Sequence, residues 1–437
     1  MGVTQTGAYN KTYLTHAKLS GYRTIEDVEV EFLPGLNIII GPNGSGKTNL
    51  IEFLEILLAF EQEKLKGLVD AHISWIRQDD EKQRIDLRFQ RKIDENLLEE
   101  EETSYGGKRY LRAPIENKFS LVFEGIEPYQ SIEAYRGEVG VGDNPIFPLL
   151  IPFNVPDPLF FFNAPYHTHF RFSHSSSKGG IGLVTGLFES DLSDKIDKTK
   201  QVLADELSSK LLDFLSSSKH DLEEGKVDFE VIDKFILGEV NRKLKLYTPV
   251  SEVRFDRRLR THARWQENTS ERYKTLEGDI DNVFLEFKLG KHWLSFNQLS
   301  DGTQRIIYIV MSLVLRSSRE SKGAFKLFHS AEDLDRTHNI ILLEEPELGI
   351  HPDQLFQLMT FIREVAEENQ VILTTHAPQV LDFLEPDELD RIITTSISDR
   401  GTLVRKLSDE KKKSIQAYMQ EEGFLRDYWI HLDLEDA

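Results

Sequence analysis

Apolar and polar positions change their period several times along the chain. From Tyr13 to Phe32 the pattern is strand-like: "YLTHAKLSGYRTI", then "DVEVEF" with clean alternation. A period of two sends one face to a core and the other to water. "LPG" turns the chain. "LNIII" (36–40) is short, apolar and β-branched, as expected of a parallel strand buried on both faces. After a glycine-rich segment, "NLIEFLEILLAFEQEKL" carries its apolar residues at helical spacing.

The middle is less regular. Strands are expected at 83–92 ("QRIDLRFQRK"), in "KFSLVFEGI" and at 158–162 ("PLFFF"), with an irregular Gly- and Pro-rich crossing over 137–158. Amphipathic helices are expected from about Leu187 to Leu215 and from about Val231 to Leu246. The heptad pattern does not continue, so no long coiled-coil arm is expected. Towards the C-terminus "VFLEFKL" (283–289), "NIILLEE", "QVILTTH" and "GTLVRKLS" read as strands. "RIIYIVMSLVLRSS" and "QLFQLMTFIREVAEEN" read as helices, and 317–337 as an inserted polar loop. Buried strands alternating with helices define an α/β fold: a mixed sheet flanked by helices, with a large, mainly helical insertion. The expected blocks are 1–100, 101–290 (the insertion, with its helical part at about 187–247) and 291–437.

Composition narrows the classes. The chain has 437 residues, more than one simple core accommodates. It has no run of about 18 apolar residues, so no membrane span is expected. The N-terminus lacks the apolar stretch of a secretory signal. There are no cysteines, which excludes disulfides, thiol catalysis and Cys-zinc sites and suits a cytoplasmic protein. A net charge of −21 repels nucleic acid, so DNA contact would need a local basic patch or a partner. "RFDRRLRTHARW" (254–265) is such a stretch, covering Arg254 to Arg264. It reads either as a phosphate-backbone contact or as a charged strand paired with acids. "YHTHFRFSH" (166–174) has three histidines but no carboxylate at metal spacing, so no metal site is expected there.

Three segments carry chemistry. "GPNGSGKT" (41–48) matches the phosphate-loop pattern, between a buried strand and a helix. Its glycines let backbone N–H groups surround phosphate oxygens, and the following helix points its N-terminus at them. Candidate nucleotide-binding residues are Asn43, Gly44, Ser45, Gly46, Lys47, Thr48 and Asn49. Lys47 would face the β/γ-phosphates of ATP, and the Thr48 hydroxyl is placed for Mg²⁺. "IILLEEPE" (340–347) is an apolar strand that ends in acids. Glu344 is the metal candidate, and Glu345 the group that would polarise the attacking water. "ILTTHAP" (372–378) ends a further buried strand in His376, a catalytic candidate at the γ-phosphate. "LSDGTQR" (299–305) reads by itself as a polar loop before a helix.

Taken in this order, the segments resemble ATP-binding-cassette ATPases of the branch that includes the chromosome-maintenance (SMC), RecF and OLD families. "LSGYRTIEDVEVEFLPGLNIIIGPNGSGKTNLIE" resembles their N-terminal block. "LSDGTQR", "LLEEPELGIHP" and "LTTHAP" resemble their C-terminal block. The resemblance covers about the first 60 residues and about 290–405. It implies a P-loop ATPase head that hydrolyses ATP with Mg²⁺ as a head-to-tail dimer. Ser300 and Gly302 of one subunit would then contact the γ-phosphate held by the other. It makes Arg23 and Thr24 candidates near the base, and places "ELGIHP" at the dimer interface. Departures are Glu344 where many members have Asp, and the lack of a clear glutamine loop, for which Asn163 is the substitute considered. Stand-alone ATPases of this kind are often anti-phage components paired with a separate nuclease or toxin, as in Septu- and PARIS-type systems. After His376 no further acid cluster suits a two-metal nuclease, so any cleavage is expected from another chain. The alternatives are a DNA-repair ATPase that clamps DNA directly and, less favoured, a transporter subunit.

Overall fold

The computed structural model describes residues 11–58, 69–78, 82–93, 100–102, 108–110, 115–124, 132–135, 151–153, 170–177, 182–183, 228–258, 260–268, 273–281, 285–317, 340–421 and 423–432. The chain divides into two compact units. One comprises Met1–Phe153, Arg336–Glu347 and Ile362–Ala437; the other comprises Asn154–Asp335 and Leu348–Phe361.

The first unit opens with β1 (Lys11–Tyr22), β2 (Ile25–Glu31), β3 (Leu36–Ile40), α1 (Lys47–Leu58), β4 (Val69–Gln78) and β5 (Lys82–Ile93). Then come β6 (Glu100–Glu102), β7 (Lys108–Tyr110), β8 (Ile115–Glu124), β9 (Ile132–Tyr135) and β10 (Ile151–Phe153). The second unit holds β11 (Phe170–Ser177), β12 (Gly182–Leu183), α2 (Phe229–Tyr247), β13 (Glu252–Phe255), β14 (Arg260–Asn268) and β15 (Tyr273–Asp281). It continues with β16 (Leu285–Leu289), β17 (His292–Ser295) and α3 (Asp301–Ser317). The remaining elements are β18 (Ile340–Glu344), α4 (Pro352–Glu368), β19 (Gln370–Thr375), β20 (Ile392–Ser398), β21 (Gly401–Lys406), α5 (Asp409–Glu421) and α6 (Leu425–Leu432).

The central sheet runs β10-β18-β19-β3-β20-β21. Its first five strands are parallel and β21 is antiparallel. β3 and β19 are buried at every position, and β18 at all but its last. That explains their uninterrupted apolar runs. A second, antiparallel sheet runs β2-β1-β4-β5-β8-β9. Here the alternation expected for "DVEVEF" is met: Val28, Val30 and Phe32 are buried while Glu29 and Glu31 are exposed. α1 joins the two sheets into one core. Leu50, Phe53, Leu54 and Leu57 pack with Leu19 and Ile73 of one sheet and Ile39, Leu342 and Ile372 of the other.

Gln370 ties the sheets together by polar contacts. It is 1% exposed, accepts from the Leu14 N–H (2.7 Å) and donates to the Leu14 and Leu33 carbonyls (2.7 and 2.9 Å). The two Leu14 groups depend on it, whereas the Leu33 carbonyl also accepts from Asn37 Nδ2 at 2.7 Å.

The helix expected near 231–246 is α2. Asp228 caps it, accepting from the Glu230 and Val231 N–H groups. The insertion was expected to be mainly helical. Apart from α2, the described parts of 101–290 that form regular elements are strands. The expected helix at 187–215 and the strand at 158–162 lie outside the described residues, as do nearly all of the polar loop 317–337 and all of the crossing at 137–158 except 151–153, which form β10 rather than irregular chain. No described helix is long and apolar enough to cross a membrane.

Candidate nucleotide site

Strand register brings the chemistry to one edge of the central sheet. Glu344 is paired with Thr374, Thr374 with Ile39, and Thr375 with Ile40. Gly41, Glu345 and His376 therefore follow their strands at the same, carboxyl-terminal edge, where open α/β sheets take their ligands.

The phosphate loop between β3 and α1 is seated on the β20–β21 hairpin. A Cβ at Gly46, where φ is +94°, would lie 2.0 Å from Thr402 Oγ1. One at Gly41 would lie 2.2 Å from the Thr395 carbonyl oxygen. Ser45 is buried and shares a 2.7 Å hydrogen bond with Thr395 Oγ1. Gly44 differs: it has φ +82° and open space around it, so only its conformation calls for glycine. Asn43 is exposed beside it.

Lys47 is buried, and its Nζ donates to the Gly41 and Pro42 carbonyls at 2.9 and 3.1 Å. Burial pushes its pKa down, while Glu345, Glu347 and Glu344 pull it back up. Phosphate oxygens would give this cation stronger, charge-assisted partners than the two carbonyls do. Thr48 Oγ1 donates to Glu344 Oε1 at 2.5 Å. One hydroxyl and one carboxylate on adjoining elements are the hard oxygen donors that suit a divalent cation completed by phosphate and water.

Glu345 has φ +42°, in the left-handed region. For a non-glycine residue that conformation costs about 1–2 kcal/mol. The Glu345 N–H holds it by donating to the Thr374 carbonyl at 2.9 Å. Its Oε1 lies 3.2 Å from His376 Nδ1, and Glu347 Oε1 lies 3.8 Å from the same nitrogen. Burial pushes the Glu347 carboxyl above the usual carboxylate range.

Arg23, Thr24 and Asn49 come together at the flank of α1. Arg23, at φ +51°, pairs with both carboxylate oxygens of Glu52 (2.5 and 2.9 Å) and donates to Asn49 Oδ1 at 3.2 Å. Asn49 Nδ2 donates to Thr24 Oγ1, which also meets Thr402 Oγ1, both at 2.7 Å. Glu52, Glu347, Thr395 and Thr402 are the members that sequence reading missed. Only Glu52 had a signal, three residues after Asn49 on the same helix face.

The segment 299–305 belongs to the other unit. Exposed Ser300 caps α3: its Oγ accepts from the Thr303 N–H at 3.4 Å and shares a 2.9 Å bond with the Thr303 hydroxyl. Gly302 is required by packing, since a Cβ there would lie 2.6 Å from the Gly349 carbonyl oxygen. In the same unit, Arg254 pairs with Glu286 and stacks on Trp293, Arg257 pairs with Asp233, and Arg258 pairs with Asp256. This part of the basic stretch follows the acid-paired alternative. The side chains at 260–265 lie outside the described residues. Among the described residues no group of three His, Cys, Asp or Glu could hold a metal ion.

A phosphate loop, an acidic strand end and a histidine strand end on one parallel-sheet edge define a P-loop nucleotide-binding fold. The chain belongs to the family described as "AAA domain, putative AbiEii toxin, Type IV TA system", which matches residues 36–382. It is 51% identical over 62 residues to the DNA replication and repair protein RecF of Limosilactobacillus fermentum, covering 14% of this chain and 16% of the relative. It is 25% identical over 158 residues to the Septu protein PtuA of Bacillus thuringiensis, covering 36% of this chain and 37% of the relative. Both matches span well under two thirds of the relative's length. Among solved structures, an SMC head bound to the C-winged helix domain of ScpA aligns with a TM-score of 0.47 and 14% identity, over 92% of this chain and 99% of that one.

Proposed function

We propose that the chain is a Mg²⁺-dependent ATPase working as a nucleotide-controlled head-to-tail dimer or larger assembly, the regulatory scaffold of an anti-phage complex with a separate nuclease or toxin effector. The observation that carries the enzymatic part is the convergence of buried Lys47, the Thr48–Glu344 pair and the Glu345–His376 pair. Lys47 would bind the β/γ-phosphates. Thr48 and Glu344 would hold Mg²⁺, which when bound would offset charge on the phosphate oxygens. Glu345 would orient and polarise the attacking water, and His376 would contact the γ-phosphate. Asn43 to Gly46 would surround the phosphates with backbone N–H groups, and Arg23, Thr24 and Asn49 would border the rest of the nucleotide. The exposure of Ser300 at the N-terminus of α3 supports a role in a neighbour's site, with Gly302 beside it. The similarity to a Septu protein supports the defence role.

Mixing two inactive variants tests the sharing. Ser300→Arg and Lys47→Ala subunits should each lack hydrolysis alone. Mixed, they should regain activity from at most one composite site per dimer. If mixed dimers form yet show no turnover, the shared site is refuted.

The similarity to RecF supports a second reading, an ATPase that clamps DNA directly. It requires salt-sensitive DNA binding by the isolated chain that is lost on neutralising Arg257, Arg258 and Arg260. The acidic partners of Arg257 and Arg258 count against it.

A further inference from the structure

Glu347 is absent from the roles assigned above, yet the site is built around it. Its side chain is 5% exposed. Oε1 accepts from the Thr375 hydroxyl at 2.5 Å and from the His376 N–H at 3.4 Å. The Thr375 hydroxyl in turn accepts from the Ala377 N–H at 2.9 Å. The turn that carries His376 out of β19 is therefore hung from one buried carboxyl.

The other oxygen, Oε2, is buried with no hydrogen-bond partner. Leaving such an atom unmade is costly, and an apolar side chain would fill the space without that cost. A carboxyl makes sense here if a donor reaches Oε2 at some stage of the cycle. His376 Nδ1 is the candidate donor. It stands 3.2 Å from Glu345 Oε1 and 3.8 Å from Glu347 Oε1, between two carboxyls. While Nδ1 faces Glu345, it occupies the group that must orient water. A ring movement of about 1 Å would bring Nδ1 within hydrogen-bond distance of the nearer oxygen, Oε1, and a further turn across the same carboxyl would present it to Oε2.

We propose that Glu347 is a positioning residue for hydrolysis: it anchors the backbone of His376 through Oε1 and accepts Nδ1–H through Oε2, which frees Glu345 for the water and aims Nε2 at the γ-phosphate. The inference rests on the hydrolytic reading of the site.

The test uses Glu347→Gln in the full chain. The amide keeps the oxygen that anchors Thr375 and His376 but replaces the free oxygen by an N–H₂ that cannot accept. ATP affinity is read with a fluorescent ATP analogue, and turnover with radiolabelled ATP under single-turnover conditions. The expected result is a dissociation constant within about twofold of wild type and a rate at least about tenfold lower. In a His376→Ala background, the same change should alter the residual rate by less than about twofold. Should Glu347→Gln melt well below wild type, Glu347→Asp serves instead: it keeps both oxygens and should give an intermediate rate. An unchanged rate, or affinity lost in step with the rate, overturns the proposal. So does an equal loss in both backgrounds. Absence of ATP hydrolysis by the wild-type protein would instead overturn the hydrolytic reading itself.

Discussion

Alanine at Gly46 and at Gly44 separates two requirements that the phosphate-loop pattern lumps together. Both glycines have positive φ, +94° and +82°. An alanine in that region costs about 1–2 kcal/mol. At Gly44 nothing lies within 4 Å of the added Cβ, so that cost is the whole effect. At Gly46 the Cβ also meets Thr402 Oγ1 at 2.0 Å and Cγ2 at 2.8 Å. Thr402 cannot swing away freely. It is 2% exposed, its N–H donates to the Thr24 carbonyl at 2.7 Å, and its hydroxyl is bonded to Thr24. Overpacking of this kind adds about 1–3 kcal/mol. Gly46→Ala should therefore destabilise by about 2–5 kcal/mol, and Gly44→Ala by about 1–2 kcal/mol. Urea unfolding followed by tryptophan fluorescence measures both. Thr402→Ala removes the two closest atoms, so Gly46→Ala with Thr402→Ala should cost less than the sum of the single changes. Equal destabilisation at Gly44 and Gly46, or strict additivity with Thr402→Ala, would refute the argument that the hairpin dictates Gly46.

Lys47→Ala should abolish ATP binding in a fluorescent-nucleotide titration; unchanged affinity would remove the phosphate-loop assignment. Glu345→Gln should retain ATP and slow phosphate release at least about 10²-fold, within the range for losing a positioned catalytic group; wild-type turnover would exclude Glu345 as that group. Gln370→Ala should lower stability by about 2 kcal/mol or more in urea unfolding, because the two backbone groups of Leu14 lose their buried partner while the Leu33 carbonyl keeps Asn37. Burial lowers Lys406 from 10.5 to about 8, so between those values the folded chain binds fewer protons than the unfolded one. Its contribution to stability should then rise with pH from about 8 upward, by about 1–2 kcal/mol after allowing for partial exposure. Lys406→Met should flatten that rise in unfolding curves taken from pH 7 to 10; an unchanged slope would assign it to other groups.

The parts of the fold visible in the sequence are those set by local pattern. "LNIII", "IILLE" and "QVILTT" are apolar throughout because each lies inside a parallel sheet, and both glycine loop and acids follow such strands directly. The alternation in "DVEVE" reports one buried face. What stayed hidden depends on pairing across long sequence distances. Thr395 and Thr402 look like ordinary strand residues until β20 and β21 pass beneath the phosphate loop. Glu347 looks like one more acid in an acidic turn, and only its burial against Thr375 sets it apart. The basic stretch was ambiguous for the same reason: Asp233 and Glu286, which pair with Arg257 and Arg254, lie 24 and 32 residues away from them.

That non-locality constrains how the site can form. In the central sheet β3 has two neighbours, β19 and β20, and both come from the C-terminal block. Without them "LNIII" has no ladder partners in that sheet, and its backbone groups and isoleucines lose their burial. The loop itself is fixed by Thr395 and Thr402, about 350 residues after the residues they touch. Helix α1 alone is too short to persist in water and is held by packing against both sheets. A fragment ending near residue 100 retains all of "GPNGSGKT" but none of the surfaces that give it shape. It should show no measurable ATP affinity at concentrations where the full chain is saturated, and adding a fragment that starts before β18 should restore it. Affinity in the N-terminal fragment alone would mean that the glycine loop shapes itself, against the close contacts at Gly41 and Gly46.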